Sequence, residues 1–264
     1  MPAATHTPLS RQRILAAALR LVDEQGLDAL SMRKLAASLG VEAMSLYTHV
    51  PSKSALLTGV LELLVAQLEV PQDEDLPWVE RLRTGARSFR RVAHEHPAFV
   101  RLLTSQQEYT EVLLHPTESG LAILRGAGLG PTEAAFAYQT LMGYLLGALQ
   151  QEEAGVVGVT CGDLGVAVSA CDALPSASMF DLPRDHFPYL LDTLQRNVPN
   201  NKDAAFEFGL DLILASLERL ASLAAARRRI AELETELALY RQAQPAVGAD
   251  GCRKAVPNRV HDRR

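Results

Sequence analysis

Apolar residues recur along the chain at helical spacing, punctuated by glycine, proline and short capping side chains, and this pattern predicts an all-α fold. From Ser10 to Gln25 the residues Ile14, Leu15, Ala18, Leu19, Leu21 and Val22 form one stripe, and Gly26 stops it. Ser31 is placed to cap a second helix, Met32 to Ser38, whose Leu35 and Ala36 share an inner face with Leu39. Gly40 then suits a left-handed helix end, and Val41 can fill the corner. Glu42 to Val50 reads as a short second helix of a helix-turn-helix, with Leu46 and Val50 turned inward. Ala43, Met44, Ser45, Tyr47, Thr48 and His49 are left on its other faces. Pro51 ends it, and Ser52 caps an apolar helix from Lys53 to about Leu68.

The rest divides by the same signals. Residues 1–9 read as a flexible N-terminus, 10–70 as the three-helix helix-turn-helix domain with its following helix, and 71–77 as an acidic, proline-bounded linker. A larger helical domain is expected over 78–224. Within it Val79 to His96 is amphipathic, Pro97 opens a helix holding Phe99 and Leu103, and Glu118 to Arg125 forms another. Ala134 to Glu153 is apolar on most faces and so buried on several, with Gly143 and Gly147 four apart to admit a close neighbour or a second subunit. In Gly155 to Pro183 a strand at Val156, Val157 and Val159 has nothing to pair with, so a flexible connection with a short helix near Leu164 to Leu174 is expected. Helices near Phe187 and from Ala204 to Ala224 follow. A helical extension over 225–244 carries Ile230, Leu233, Leu237 and Tyr240 at the 3, 4, 3 spacing of a coiled-coil seam, which reads either as a solvated helix or as a zipper against a dimer mate. A disordered tail over 245–264 ends the chain.

Composition changes the picture only locally. The 264 residues carry a net charge of −5, so any surface for nucleic acid must be a local patch. No apolar run reaches membrane-spanning length, no cleavable secretory signal is seen, and a cytoplasmic protein is expected. Cys161, Cys171 and Cys252 have neither paired metal-ligand spacing nor an even count, and read as free thiols. No nucleophile elbow, zinc-protease, phosphate-loop or dinucleotide motif occurs, so an enzyme is not expected, nor a cofactor. A helical ligand-binding or adaptor protein that reads no specific DNA sequence remains the alternative to a regulator.

The run RILAAALRLVDEQGLDALSMRKLAASLGVEAMSLYTHVPSKSALLTGVLE resembles the N-terminal DNA-binding domain of the TetR family of bacterial transcriptional regulators. The likeness rests on R-K-L-A-x-x-L-G-V and L-Y-x-H-V-x-x-K at the family's spacing. It implies that Arg33, at the start of the helix Ser31 caps beside the DNA, addresses a guanine edge or braces a phosphate, that Ala43, Met44, Ser45 and Thr48 face the groove, and that Tyr47, His49 and Lys53 hold the phosphate backbone. Where the tetracycline repressors have glutamine and proline, this chain has Ala43 and Met44, so their operator is not inherited. More loosely, HFPYLLDTL and FEFGLDLILASLERL resemble the C-terminal domain of the tetracycline-repressor-like branch, whose last helices pair as a four-helix bundle.

The resemblance implies a homodimer on a double-stranded operator and a small-molecule effector bound in the C-terminal domain. Moving such an equilibrium from nearly all bound to nearly all free takes a differential affinity of roughly 10⁴, or about 5.5 kcal/mol. Candidate residues for a mainly apolar effector site are Phe89, Phe99, Leu103, Tyr109, His115, Tyr138, Gln139, Met142 and Tyr144. Residues 105–121 do not match the stretch with which tetracycline repressors hold a magnesium-bound drug, so no metal role falls on His94, His96 or His115.

Overall fold

Capping decides where the helices begin. In the computed structural model, which describes residues 8–105, 109–153, 159–160, 163–164, 183–195 and 201–243, Ser10 accepts from the Arg13 N–H at 3.3 Å and opens α1, Arg11–Gln25. Ser31 accepts from the Lys34 N–H at 3.2 Å and opens α2, Met32–Leu39. Ser52 accepts from the Ala55 N–H at 3.0 Å and opens α4, Lys53–Val65. Between α2 and α4 lies α3, Ala43–Tyr47. Gly40 makes the turn between α2 and α3 with φ 68°, and Val41 N–H closes on the Ala36 carbonyl at 3.0 Å. Helix α3 is shorter than its sequence pattern suggests, because Glu42 gives no side-chain cap and the chain turns after Tyr47.

The remaining helices are α5, Trp78–Glu95; α6, Phe99–Ser105; α7, Glu111–Gly126; α8, Pro131–Glu153; α9, Pro188–Gln195; and α10, Lys202–Ala243. Helix α7 starts well before the expected Glu118 and runs through Pro116. At the start of α8 the Glu133 carboxylate accepts from the Gly130 N–H at 2.9 Å, so the helix re-forms directly after the glycine-rich turn. The strand expectation also needs correcting. Val159–Thr160 and Asp163–Leu164 pair antiparallel as β1 and β2, so each finds its partner in the other. Leu164 therefore does not start a helix, and the rest of the helix expected to Leu174 lies outside the described residues, as do the three cysteines and the C-terminal tail.

Residues 1–221 form one compact unit and 222–264 a second. One hydrophobic core runs through the first unit without a gap, from Ile14, Leu35, Leu46 and Leu64 to Phe99, Leu124, Leu145 and Leu214. Residues 66–77 carry no helix yet are strapped to α5: Ser88 Oγ accepts from the Glu69 N–H at 2.8 Å, and Arg81 Nε donates to the Pro71 carbonyl at 3.0 Å. Gly59 sets the approach of α4 to α1, since a Cβ there would stand 2.7 Å from Leu15 Cδ2. Gly59→Val is therefore expected to destabilise the protein by about 1–3 kcal/mol through overpacking, and an unchanged thermal melt would show that Leu15 yields freely.

Candidate DNA-binding surface and effector cavity

The anchoring of α3 is one-sided. Leu46 and Val50 are 0% and 1% exposed in the core, while Met44 is 76% exposed and Ser45, Tyr47 and Thr48 stand in solvent. Ala43 and His49 are half-buried at the edges of the same face. Arg33 and Lys53 are exposed, the one in the first turn of α2 and the other at the N-terminus of α4, where the helix dipole favours a phosphate. Ser31 is exposed too, with its hydroxyl already engaged in capping α2. All nine residues thus sit on or beside one outward surface, on which Arg33 and Lys53 are exposed cations.

Two contacts to carboxylates tie this half of the unit to the other. His96 Nδ1 lies 3.0 Å from an Asp23 carboxylate oxygen at the end of α1. Arg101 on α6 makes a two-pronged contact with Asp28, at 2.8 and 2.7 Å, in the turn before α2. The hydrogen bond from Arg101, followed by its charge, holds the Asp28 carboxyl below the ordinary carboxylate range. The exposed Arg101–Asp28 pair adds little stability, and what it contributes is register between α6 and the α1–α2 turn.

A cavity of about 110 Å³ lies deeper. Its walls repeat at helical spacing: Leu82, Gly85, Ala86 and Phe89 from α5; Leu113, Pro116, Thr117 and Gly120 from α7; and Tyr138, Leu141, Met142 and Leu145 from α8. Phe99 and Leu103 of α6 close one side, and Val65, Leu68 and Val70, at and beyond the end of α4, close another. Phe89 and Phe99 stand 5.1 Å apart between ring centroids. The polar groups on this wall include the Tyr138 hydroxyl, which donates to Thr117 Oγ1 at 3.1 Å, and the Arg81 side chain. Burial pushes the Tyr138 phenol up from its ordinary pKa, so it stays a neutral donor.

Of the residues singled out from sequence, Phe89, Phe99, Leu103, Tyr138 and Met142 line this cavity, and four do not. Tyr109 is 75% exposed, and His115 is exposed on the outer face of α7, 3.8 Å from Glu111. Gln139 is exposed because it falls one residue out of phase with the Tyr138, Met142 and Leu145 stripe. Tyr144 turns towards α10, donating its hydroxyl to the Phe206 carbonyl at 2.5 Å. Thr117, Gly120 and Arg81 were missed. The 3–4 spacing of Leu113, Pro116, Thr117 and Gly120 carries the signal, which a helix begun only at Glu118 leaves out.

A separate charged cluster braces α5 against α8 and α10. Arg87 forks onto Glu207 at 2.8 Å on each arm, and Arg83 bonds Asp211. Arg90 lies 4.7 Å over the Phe206 ring and donates to the buried Glu152 at 3.0 Å, and His94 meets the same carboxylate at 2.6 Å. Among the described residues no group of His, Cys, Asp and Glu is arranged to hold a metal ion, and no helix is long and apolar enough to cross a membrane. On α8 and α10, by contrast, Phe136, Phe208 and Leu212 are 63%, 69% and 56% exposed, and a Cβ built on Gly143 or Gly147 would meet nothing within 4 Å.

Comparison with known proteins covers both halves. Residues 14–60 match the description "Bacterial regulatory proteins, tetR family", and residues 70–221 match "Tetracyclin repressor-like, C-terminal domain". The class G tetracycline repressor protein of Vibrio anguillarum is 28% identical over 216 residues, spanning 81% of this chain and 96% of that protein. The HTH-type transcriptional repressor DrrR1 of Streptomyces coeruleorubidus is 34% identical over 151 residues, 55% of this chain and 56% of that one. Among solved structures, Streptomyces coelicolor ActR in complex with actinorhodin superposes with a TM-score of 0.67 at 30% identity, covering 81% of this chain and 99% of ActR.

Proposed function

The chain belongs to the tetR family of bacterial regulatory proteins, and we propose that it is a dimeric, cytoplasmic repressor that a mainly apolar small molecule releases from its operator. One observation carries the reading: α4, whose first residue Lys53 flanks the recognition segment, ends at Val65 in the wall of the effector cavity. A molecule that spreads the walls moves the end of α4, and the helix transmits that displacement to the base of α3. Asp23–His96 and Asp28–Arg101 hold the second route between the halves. Two recognition helices about one DNA turn apart lose their register, and operator affinity falls.

The cavity also narrows the effector class. Its walls are almost wholly aliphatic and aromatic, with a hydroxyl pair at Tyr138 and Thr117 and the Arg81 side chain as polar points. A flat polycyclic aromatic bearing a few oxygens fits that chemistry, as does the actinorhodin that ActR binds. The volume is small for such a ligand, so binding must move α5, α7 or α8, which is the event a release mechanism needs. A thermal-shift panel of aromatic quinones that includes actinorhodin tests this, since a ligand of the folded form raises the melting temperature.

Ser31, Arg33, Ala43, Met44, Ser45, Tyr47, Thr48, His49 and Lys53 are the proposed DNA contacts, and they separate by role. Tyr47→Ala and Lys53→Ala are expected to weaken binding to every operator alike, and Lys53→Ala to lower the slope of log affinity against log salt by about 1. Changing Arg33, Met44 or Ser45 should instead alter which operator is preferred, by about 1–3 kcal/mol per base pair. Gel retention against DNA flanking the gene, over a salt series, reads both. Retention that ignores DNA sequence in the unaltered protein would favour an adaptor, and full retention by folded, dimeric Tyr47→Ala would remove that contact.

A further inference from the structure

Helix α10 continues past Ala221, where the match to the tetracycline-repressor-like domain stops, and runs to Ala243. In this second compact unit Leu223, Ile230, Leu233, Leu237 and Tyr240 are 57%, 56%, 46%, 48% and 63% exposed. Together with Ala226 they are spaced 3, 4, 3, 4, 3, so Leu223, Ile230 and Leu237 take the first seam position of three heptads and Ala226, Leu233 and Tyr240 the second. Apolar side chains on one stripe of a straight helix in water are stable only if something covers the stripe.

We propose that the same segment of a second copy covers it, as a parallel, in-register, two-stranded coiled coil that clamps the dimer. Charge supports that partner. In register, Arg229 flanks the seam beside Glu234 of the partner subunit, and Glu236 beside Arg241 of the partner subunit, so symmetry gives four attractive pairs and no like-charged one at these positions. In the single chain Arg229 rests on Glu232 at 3.1 Å, an exposed contact that it can exchange without loss. Isoleucine at the first seam position with leucine at the second, as at Ile230 and Leu233, is the combination that favours two parallel strands. Three heptads alone are too short to hold two chains together. The proposal rests on the dimer assigned above, which brings the strands to an effective concentration of order mM, so that the seam closes as an intramolecular step.

The test is a cysteine scan in the full-length chain with Cys161, Cys171 and Cys252 changed to Ser, its folding checked by thermal melt. Leu233→Cys sits on the seam, and Thr235→Cys faces away from it. Under mild oxidation the disulfide between two chains at 233 is expected to form about tenfold faster than at 235, because only the seam brings Cβ atoms within bonding reach. Equal rates in a protein that sediments as a dimer would overturn the coiled coil and leave the domain dimer intact, whereas a monomer by sedimentation would overturn the dimer itself. Cross-linking confined to mixtures of Ile230→Cys with Leu233→Cys chains would reverse the strands and overturn the parallel register.

Discussion

Phe208→Asp combined with Leu212→Asp is expected to yield a monomer whose operator affinity is lower by about 10³ or more. These residues are one turn apart on α10, and both rings and branches stand in solvent in the single chain at 69% and 56% exposure. In the proposed dimer a second protomer covers them, and a carboxylate in their place must be stripped of water, at a cost of several kcal/mol for each. Since the side chains are not part of the protomer's own core, the substitutions leave its helical content unchanged, which circular dichroism checks. Operator binding suffers because one α3 reads only a few base pairs, and specific affinity comes from two recognition helices held on the same face of the duplex. Sedimentation of the double variant and gel retention at matched salt read the two consequences separately. A variant that stays dimeric with undiminished retention would mean that α8 and α10 do not form the subunit contact.

The DNA-binding half was legible in the sequence because its determinants are local. Ser10, Ser31 and Ser52 cap helices from within three residues, Gly40 ends α2 by its own backbone angle, and Leu46 and Val50 fall on the inner face of a single turn. Each of these can be inferred from neighbours in the chain. The cavity between α5, α7 and α8 depends instead on helix phase and on packing between distant segments, which neighbours in the chain only partly reveal. Phe89, Phe99 and Met142 announce themselves as large apolar residues, but Tyr144 has the same character and turns towards Phe206, a choice made by Gly209 on α10, which leaves room for its ring. Thr117 and Gly120 are small, and their importance comes from what Tyr138 does next to them. The coupling contacts Asp23–His96 and Asp28–Arg101 join residues 73 apart in sequence, a separation at which charge pattern carries no information.

Gly120→Val is expected to make a repressor that binds its operator normally and no longer lets go. A Cβ at residue 120 would stand 2.6 Å from Tyr138 Cε2 and 2.9 Å from Cδ2, so the ring must swing away from α7, and the space open to it is the cavity. A displaced aromatic ring then occupies the volume an effector needs, and the Tyr138–Thr117 hydrogen bond is lost with it. Effector affinity should fall about 100-fold, or ~2.8 kcal/mol, measured with actinorhodin or whichever aromatic ligand first raises the melting temperature. A ligand bound about 100-fold more weakly needs about 100-fold more concentration for the same effect, so concentrations that just clear the operator for the unaltered protein leave the variant bound. Gly120→Ala, with a single methyl, should fall between the two. Nothing on the DNA-facing surface changes, so retention without ligand should match the unaltered protein. If Gly120→Val still released DNA at the usual ligand concentration, the effector would have to bind somewhere other than against Tyr138, and the link through Val65 and α4 would have no ligand to drive it.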